Sequence, residues 1–173
     1  EIHTPGLLVP TEEHAMIPIM KFADFSESFI DSPGLVSVTF NCLACNLACS
    51  GCHNRKILQD SHLAVFTEPE FVAMLDRIAE SVLVDLVILS GGELTVYPMS
   101  EIVALVRLVK SRVREDQLVR IDTNGTNPEV VDRLVAMGLV DGVVMDVKVA
   151  DGLSCCEEAR TVLGVSSPSA VGW

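Results

Sequence analysis

Cys45, Cys49 and Cys52 stand in the run Cys45-Asn46-Leu47-Ala48-Cys49-Ser50-Gly51-Cys52-His53-Asn54, separated by three residues and then by two. Three thiolates from one short loop suit a cubic four-iron cluster. With three protein ligands, one iron keeps an open position and can bind a substrate or cofactor directly. Two other chemistries could use the same thiols. A zinc knuckle or an electron-transfer cluster would recruit Cys42 as a fourth ligand.

Three later segments carry the remaining polar chemistry: Ser90-Gly91-Gly92-Glu93, Asp122-Thr123-Asn124-Gly125 and Met145-Asp146-Val147-Lys148. A glycine pair after a buried strand lets the backbone approach a ligand closely. The Glu93 carboxylate beside it can hold an ammonium group through charge-assisted hydrogen bonds. Asp122 and Asp146 end two further strands read from the pattern. Two carboxylates at one sheet edge suit a cation or a positively charged ligand; ordinary capping of the next helix or turn is the alternative. Asn124-Gly125 reads as the turn that shapes its loop.

The elements that must position these residues follow from periodicity. Residues 35–40 alternate and are rich in β-formers, which predicts a strand leading into the cysteine loop. Thr67-Glu68-Pro69-Glu70 is a capping-box pattern, and Phe71, Leu75, Ile78 and Val82 then recur at helical spacing. Residues 84–89 are a continuous apolar run, as in a strand covered on both faces. Residues 99–113 read as a helix with Ile102, Leu105, Val106, Val109 and Val113 on one face. Residues 118–121 and 142–147 read as strands. Asn127-Pro128 starts a helix with Asn as its cap, and Gly138 suits its end. Residues 154–163 read as a further helix. Strand and helix alternate about four times, which predicts an α/β fold with a parallel sheet and right-handed crossovers. Every polar motif falls at the C-terminal end of a strand, where α/β barrels build their sites.

With these motifs in this order, the chain resembles the radical S-adenosylmethionine (SAM) superfamily over residues 22–164. Within it, the resemblance is to activating enzymes of glycyl radical enzymes. The Cys52-His53-Asn54 ending points there, and so does Phe29-Ile30-Asp31-Ser32-Pro33-Gly34. That segment is similar to the lead-in to the first strand of anaerobic ribonucleotide reductase and pyruvate formate-lyase activases. The resemblance implies a partial (β/α) barrel, here of about four to five βα units. It implies a [4Fe–4S] cluster on Cys45, Cys49 and Cys52, with SAM on the open iron. An electron from the cluster then cleaves the sulfonium, and the 5′-deoxyadenosyl radical abstracts hydrogen.

The resemblance further places Gly91, Gly92 and Glu93 at the SAM amino group and Lys148 near its carboxylate. Gly51 takes the position of a larger residue that packs near the adenine. It implies a monovalent cation at Asp122, Thr123, Met145 and Asp146 beside SAM, with Asp122 also bordering the cofactor. Ala44 and Leu94 replace a usual glycine and proline without removing a ligand. The implied partners are a glycyl radical enzyme, anaerobic ribonucleoside-triphosphate reductase first, and a flavodoxin- or ferredoxin-type reductant. A small-molecule enzyme similar to 7-carboxy-7-deazaguanine synthase shares the cluster and the Gly-Gly-Glu turn. A non-catalytic zinc or iron–sulfur module is the remaining alternative.

Composition limits the other function classes. The 173 residues are 49% hydrophobic and 21% charged, enough for one domain with a real core. A formal charge of −12 argues against sequence-independent nucleic-acid binding. The apolar runs fall short of a bilayer span, so no membrane association is expected. Four of the six cysteines crowd between Cys42 and Cys52, and Cys155-Cys156 are adjacent. That clustering reads as a metal site in a reducing, cytoplasmic setting rather than a disulfide framework. Residues 1–19 hold three of the eight prolines without periodicity, and Met20-Lys21-Phe22 resembles a start for this family. Residues 1–21 therefore read as an extension, 22–165 as the domain and 166–173 as a tail.

Overall fold

Leu86, Val87, Ile88 and Leu89 are all buried, as a run of apolar and β-branched side chains in a central strand should be. The structure, a computed structural model, describes residues 21–60 and 65–147. Around that central strand lie β1 (Phe22–Ser28), β2 (Ser37–Cys42), β3 (Leu86–Gly91), β4 (Leu118–Thr123) and β5 (Gly142–Met145). They form one sheet in chain order. β2 to β5 run parallel, and β1 is antiparallel to β2. The helices are α1 (Arg55–Gln59), α2 (Glu68–Glu80), α3 (Met99–Arg112) and α4 (Pro128–Ala136). β2, β3 and β4 each lead into helix, and β5 is the last strand of the described residues. This is the expected α/β class; over the described residues the sheet is open, as in a partial barrel. The helix expected at 154–163 lies outside the described residues.

The register divides the sheet into two faces. Val38, Val87 and Val119 align across three strands, and Phe40, Leu89, Ile121 and Val143 across four. These rows meet Phe71, Leu75 and Ile78 of α2, Ile102, Leu105, Val106 and Val109 of α3, and Leu134 of α4 in one core. The intervening row, Thr39, Ile88, Arg120 and Gly142, is on the other face, with Asp122 and Val144 paired two residues further along.

Local signals explain most boundaries. Thr67 and Glu70 exchange both capping-box bonds at the start of α2. Gly138 adopts φ +63° just past α4. Four expectations need correction. The sheet is mixed rather than all parallel, because β1 adds an antiparallel edge. Its order comes from tertiary contacts: the Phe22 ring stacks on Phe71 at 5.2 Å, and Phe66 N–H donates to the Phe22 carbonyl at 2.8 Å. Second, α2 stops at Glu80, so Val82 is 87% exposed instead of joining the helix face. The following turn is clamped from outside. Gln117 Nε2 donates to the Ile78 and Val84 carbonyls, and Arg114 Nη1 to those of Ala79 and Ser81. Third, Asn127 makes no side-chain cap; its Nδ2 instead donates to the carbonyl and hydroxyl of Thr95 at 3.2 Å. Fourth, β5 ends at Met145 rather than running on to 147.

Candidate cluster and cofactor site

The cysteine loop leaves the C-terminal end of β2 and is held there by backbone. Gly92 N–H donates to the Cys42 carbonyl at 2.8 Å, and Glu93 N–H to that of Ala44 at 2.6 Å. This approach is why the glycine pair is required. A Cβ on Gly92 would fall 2.0 Å from the Ala44 oxygen, and one on Gly91, at φ +101°, would meet Asn41 and Cys42 backbone at 2.6 Å. The close approach read from the sequence is thus made first to the protein's own cysteine loop. Two side-chain amides complete the attachment. Asn54 Nδ2 donates to the Gly91 carbonyl at 2.7 Å, and Asn46 Nδ2 to Thr126 Oγ1 at 2.8 Å. Asn124 Nδ2 returns a bond to Asn46 Oδ1 at 3.0 Å. Arg55 Nη2 donates to the Cys49 and Ser50 carbonyls from α1.

Cys45, Cys49 and Cys52 together border two cavities. One, about 230 Å³, has Leu43, Leu47, Ala48 and Leu58 in its wall. The other, about 360 Å³, is closed by Gly51, Gly91 and Gly92 on one side and by Asp122, Thr123 and Asp146 on the other. That is within the usual size range of small-molecule sites. All three thiols are free. Burial raises the Cys45 pKa, the Leu47 N–H opposes this, and the charges of Glu93, Cys49 and Cys52 raise it further. Three thiols in a partly apolar wall, with the charged form of Cys45 disfavoured by burial, are a donor set suited to iron, whose positive charge favours the thiolate. Cys42 differs. It is fully buried among the core side chains, and burial pushes its thiol up to about 12. It is a core residue behind the loop rather than a fourth ligand facing the cavity.

Glu93 is fully buried, and its carboxylate is occupied within the protein. Oε1 accepts from Thr95 N at 3.0 Å, Thr95 Oγ1 at 2.6 Å and Thr123 Oγ1 at 2.8 Å; Oε2 accepts from Asn124 N at 2.5 Å. It ties the end of β3 to the end of β4 rather than extending toward a ligand ammonium.

Asp122 faces the larger cavity but is already paired. Arg120 Nε lies 2.8 Å from its Oδ1 and Nη2 lies 3.2 Å from its Oδ2. Burial raises the Asp122 pKa, Arg120 opposes the shift, and Asp146 and Asp31 add to it. Asp146 borders the same cavity, and its N–H donates to the Thr123 carbonyl at 2.9 Å. Met145, expected to offer its backbone carbonyl, is 54% exposed as a residue, and its sulfur lies near Gly125. This arrangement gives the expected monovalent ion at Asp122, Thr123, Met145 and Asp146 no support. Lys148, Cys155 and Cys156 lie outside the described residues. Sequence reasoning missed Asn46 and Thr126, whose cue was an amide inside the cysteine motif, and Arg120, whose cue was a charge two residues before Asp122 in a strand.

Comparison with known proteins agrees with the geometry. Residues 42–153 match the Radical SAM superfamily. A protein of Methanocaldococcus jannaschii named "Putative glycyl-radical enzyme activating enzyme MJ1227" is 33% identical over 121 residues, 70% of this chain and 47% of that protein. The chain thus spans about half the length of this relative. The crystal structure of QueE from Escherichia coli aligns at 15% identity and a TM-score of 0.42, over 62% of this chain and 53% of that one, a likeness too loose to carry an inference. Among the described residues, no helix is long and apolar enough to cross a membrane. The matched stretch contains the three-thiol loop, the Gly91-Gly92 turn and the strand-end carboxylates that share one cavity, and the chain belongs to the Radical SAM superfamily.

Proposed function

We propose that this chain carries the cluster-binding and SAM-binding part of a glycyl radical enzyme activase, with anaerobic ribonucleoside-triphosphate reductase as the foremost partner. The observation that carries the reading is the shared cavity. Three thiols from one loop, the Gly91-Gly92 turn and the carboxylates Asp122 and Asp146 meet at the C-terminal ends of parallel strands. The relative named as an activating enzyme supports the reaction class, and the Cys52-His53-Asn54 ending supports it independently.

In this reading, Cys45, Cys49 and Cys52 hold a [4Fe–4S] cluster, and the larger cavity takes SAM. Bound there, they supply one-electron cleavage of the sulfonium and hydrogen abstraction from a partner glycine. The chain's own residues orient and enclose. Gly91 and Gly92 hold the cysteine loop against the end of β3 and border the cofactor's amino group, and Gly51 stands at the adenine with backbone alone, where a Cβ would meet nothing within 4 Å. Asp122 borders the cofactor, and Lys148 offers an ammonium to its carboxylate. Glu93 and the Asn46–Asn124–Thr126 ring keep the cysteine loop in register with β4.

The test is 5′-deoxyadenosine formation by anaerobically reconstituted protein given SAM and a strong one-electron reductant. Cys45/Cys49/Cys52 triple-alanine protein is the control. Product from the native chain and none from the control is the expected result. A glycyl radical signal on a co-expressed reductase then identifies the partner. Product without that signal would point to a small-molecule substrate instead.

A further inference from the structure

The inner face of β4 carries a cation of its own. Arg120 and Asp122 are two residues apart in one strand and therefore share a face. The Arg120 guanidinium grips Asp122 with Nε and Nη2, and Nη1 donates to the Asp31 carbonyl at 3.2 Å. The two side chains are only 11% and 23% exposed. Arg120 pairs with Gly142 of β5, and its stem lies over that residue at ordinary contact distance. Asp122 in turn borders the larger cavity together with Asp146. The guanidinium thus stands beside the Asp122 carboxylate at the cavity rim and joins β4 to the Asp31-Ser32-Pro33-Gly34 turn between β1 and β2.

We infer that Arg120 is the permanent counter-ion of the carboxylate-lined cavity and makes the site independent of a bound monovalent cation. Asp122 is a partly buried carboxylate with the exposed Asp146 bordering the same cavity, so it needs positive charge nearby, and a forked guanidinium supplies it in a fixed geometry. Arg120 is a positioning residue: it holds Asp122 at the cavity wall. The inference deepens the proposed function, since that cavity is the one assigned to SAM, yet its first test does not involve SAM.

That test is the thermal midpoint of the full chain in potassium chloride and in tetramethylammonium chloride at equal ionic strength. The native chain should melt at the same temperature in both salts. R120Q should melt several degrees lower in tetramethylammonium and recover in potassium, which can enter the vacated carboxylate site. R120K should stay independent of potassium, because it keeps the charge. A native chain stabilised specifically by potassium would overturn the inference, as would an R120Q chain indifferent to the salt. If R120Q folds in neither salt, the R120Q/D122N double variant decides. Recovery of the fold on removing the carboxylate supports the counter-ion role, and no recovery overturns it. A second arm measures SAM affinity of the reconstituted protein by equilibrium dialysis. R120Q should bind about tenfold more weakly in tetramethylammonium, with partial recovery in potassium. Failure of the native chain to bind SAM sinks the proposed function while leaving the melting result to decide the role of Arg120.

Discussion

The two faces of the parallel strands have opposite characters. Toward the helices, Val38, Phe40, Val87, Leu89, Val119 and Ile121 form unbroken apolar rows. On the other face, the row through Thr39, Ile88, Arg120 and Gly142 mixes a hydroxyl, an aliphatic chain, a cation and a glycine. The first face stabilises by area removed from water and depends little on orientation. The second, with the strand ends above it, works through directed bonds between particular atoms. A protein that must stay folded while presenting polar groups to a ligand can assign the two tasks to alternate residues, because side chains in a strand alternate between faces.

The comparison breaks most sharply at the loop above the sheet. Replacing Cys49 and Cys52 by alanine should abolish iron and sulfide incorporation while leaving the thermal midpoint nearly unchanged. Metal analysis and circular dichroism on the same sample read both quantities. A large loss of stability would show that the loop also belongs to the core. On the helix face the outcome should invert. Leu75→Ala removes a fully buried side chain and should cost about 2–5 kcal/mol in denaturant unfolding. Cluster content per folded molecule should not change.

Glu93 joins the two regions, a fully buried carboxylate at the end of the sheet. Glu93→Gln replaces an acceptor of four bonds by a group that must also donate, and should destabilise by about 1.5–3 kcal/mol. It should loosen the cysteine loop as well, seen as faster alkylation of Cys45 in metal-free protein. Equal alkylation rates in the two proteins would confine Glu93 to a purely stabilising role.

Cys42 gives a pH-dependent version of the contrast. Its folded pKa is raised by burial from the ordinary 9.0 to about 12. The folded state therefore favours the neutral thiol. The stability this contributes is complete below pH 9.0 and is lost as pH rises toward about 12. Cys42→Ala should flatten the alkaline limb of the stability profile relative to the native chain, and a parallel limb would place that sensitivity elsewhere. The smallest effect belongs to Thr39, whose buried hydroxyl has no hydrogen-bond partner among the described residues. Thr39→Val keeps the shape and removes an uncompensated polar atom, so a gain of up to about 1 kcal/mol is expected on chemical unfolding. A loss would indicate that a water or ligand uses the hydroxyl.

Much of this architecture was legible in the chain. The capping box at Thr67, the apolar run of β3 and the cysteine spacing are local patterns, and each appears near its expected place. β1 was not legible, because polar residues interrupt it and its order depends on pairing with β2 and on the Phe22–Phe71 contact. Val82 continues the helical period beyond α2, but a clamp from Arg114 and Gln117 ends the helix first. In the site, the ligand-type residues were legible and their partners were not. Nothing local to Glu93 indicates that its carboxylate will meet Thr123 and Asn124, and nothing in residues 45–54 indicates that Asn46 will meet Thr126.

The sequence by itself determined which chemistry was available: three thiols at cluster spacing, a glycine pair where only backbone fits, and carboxylates at the ends of apolar strands. These follow from residue type and short-range periodicity, which the chain carries wherever it goes. The tertiary structure decided how those groups are spent. Folding turned Glu93 inward, put a guanidinium on Asp122 and withdrew Cys42 into the core. A side chain's charge and hydrogen bonds are settled by what lies within a few ångströms in space, and those neighbours come from strands and loops far apart in sequence.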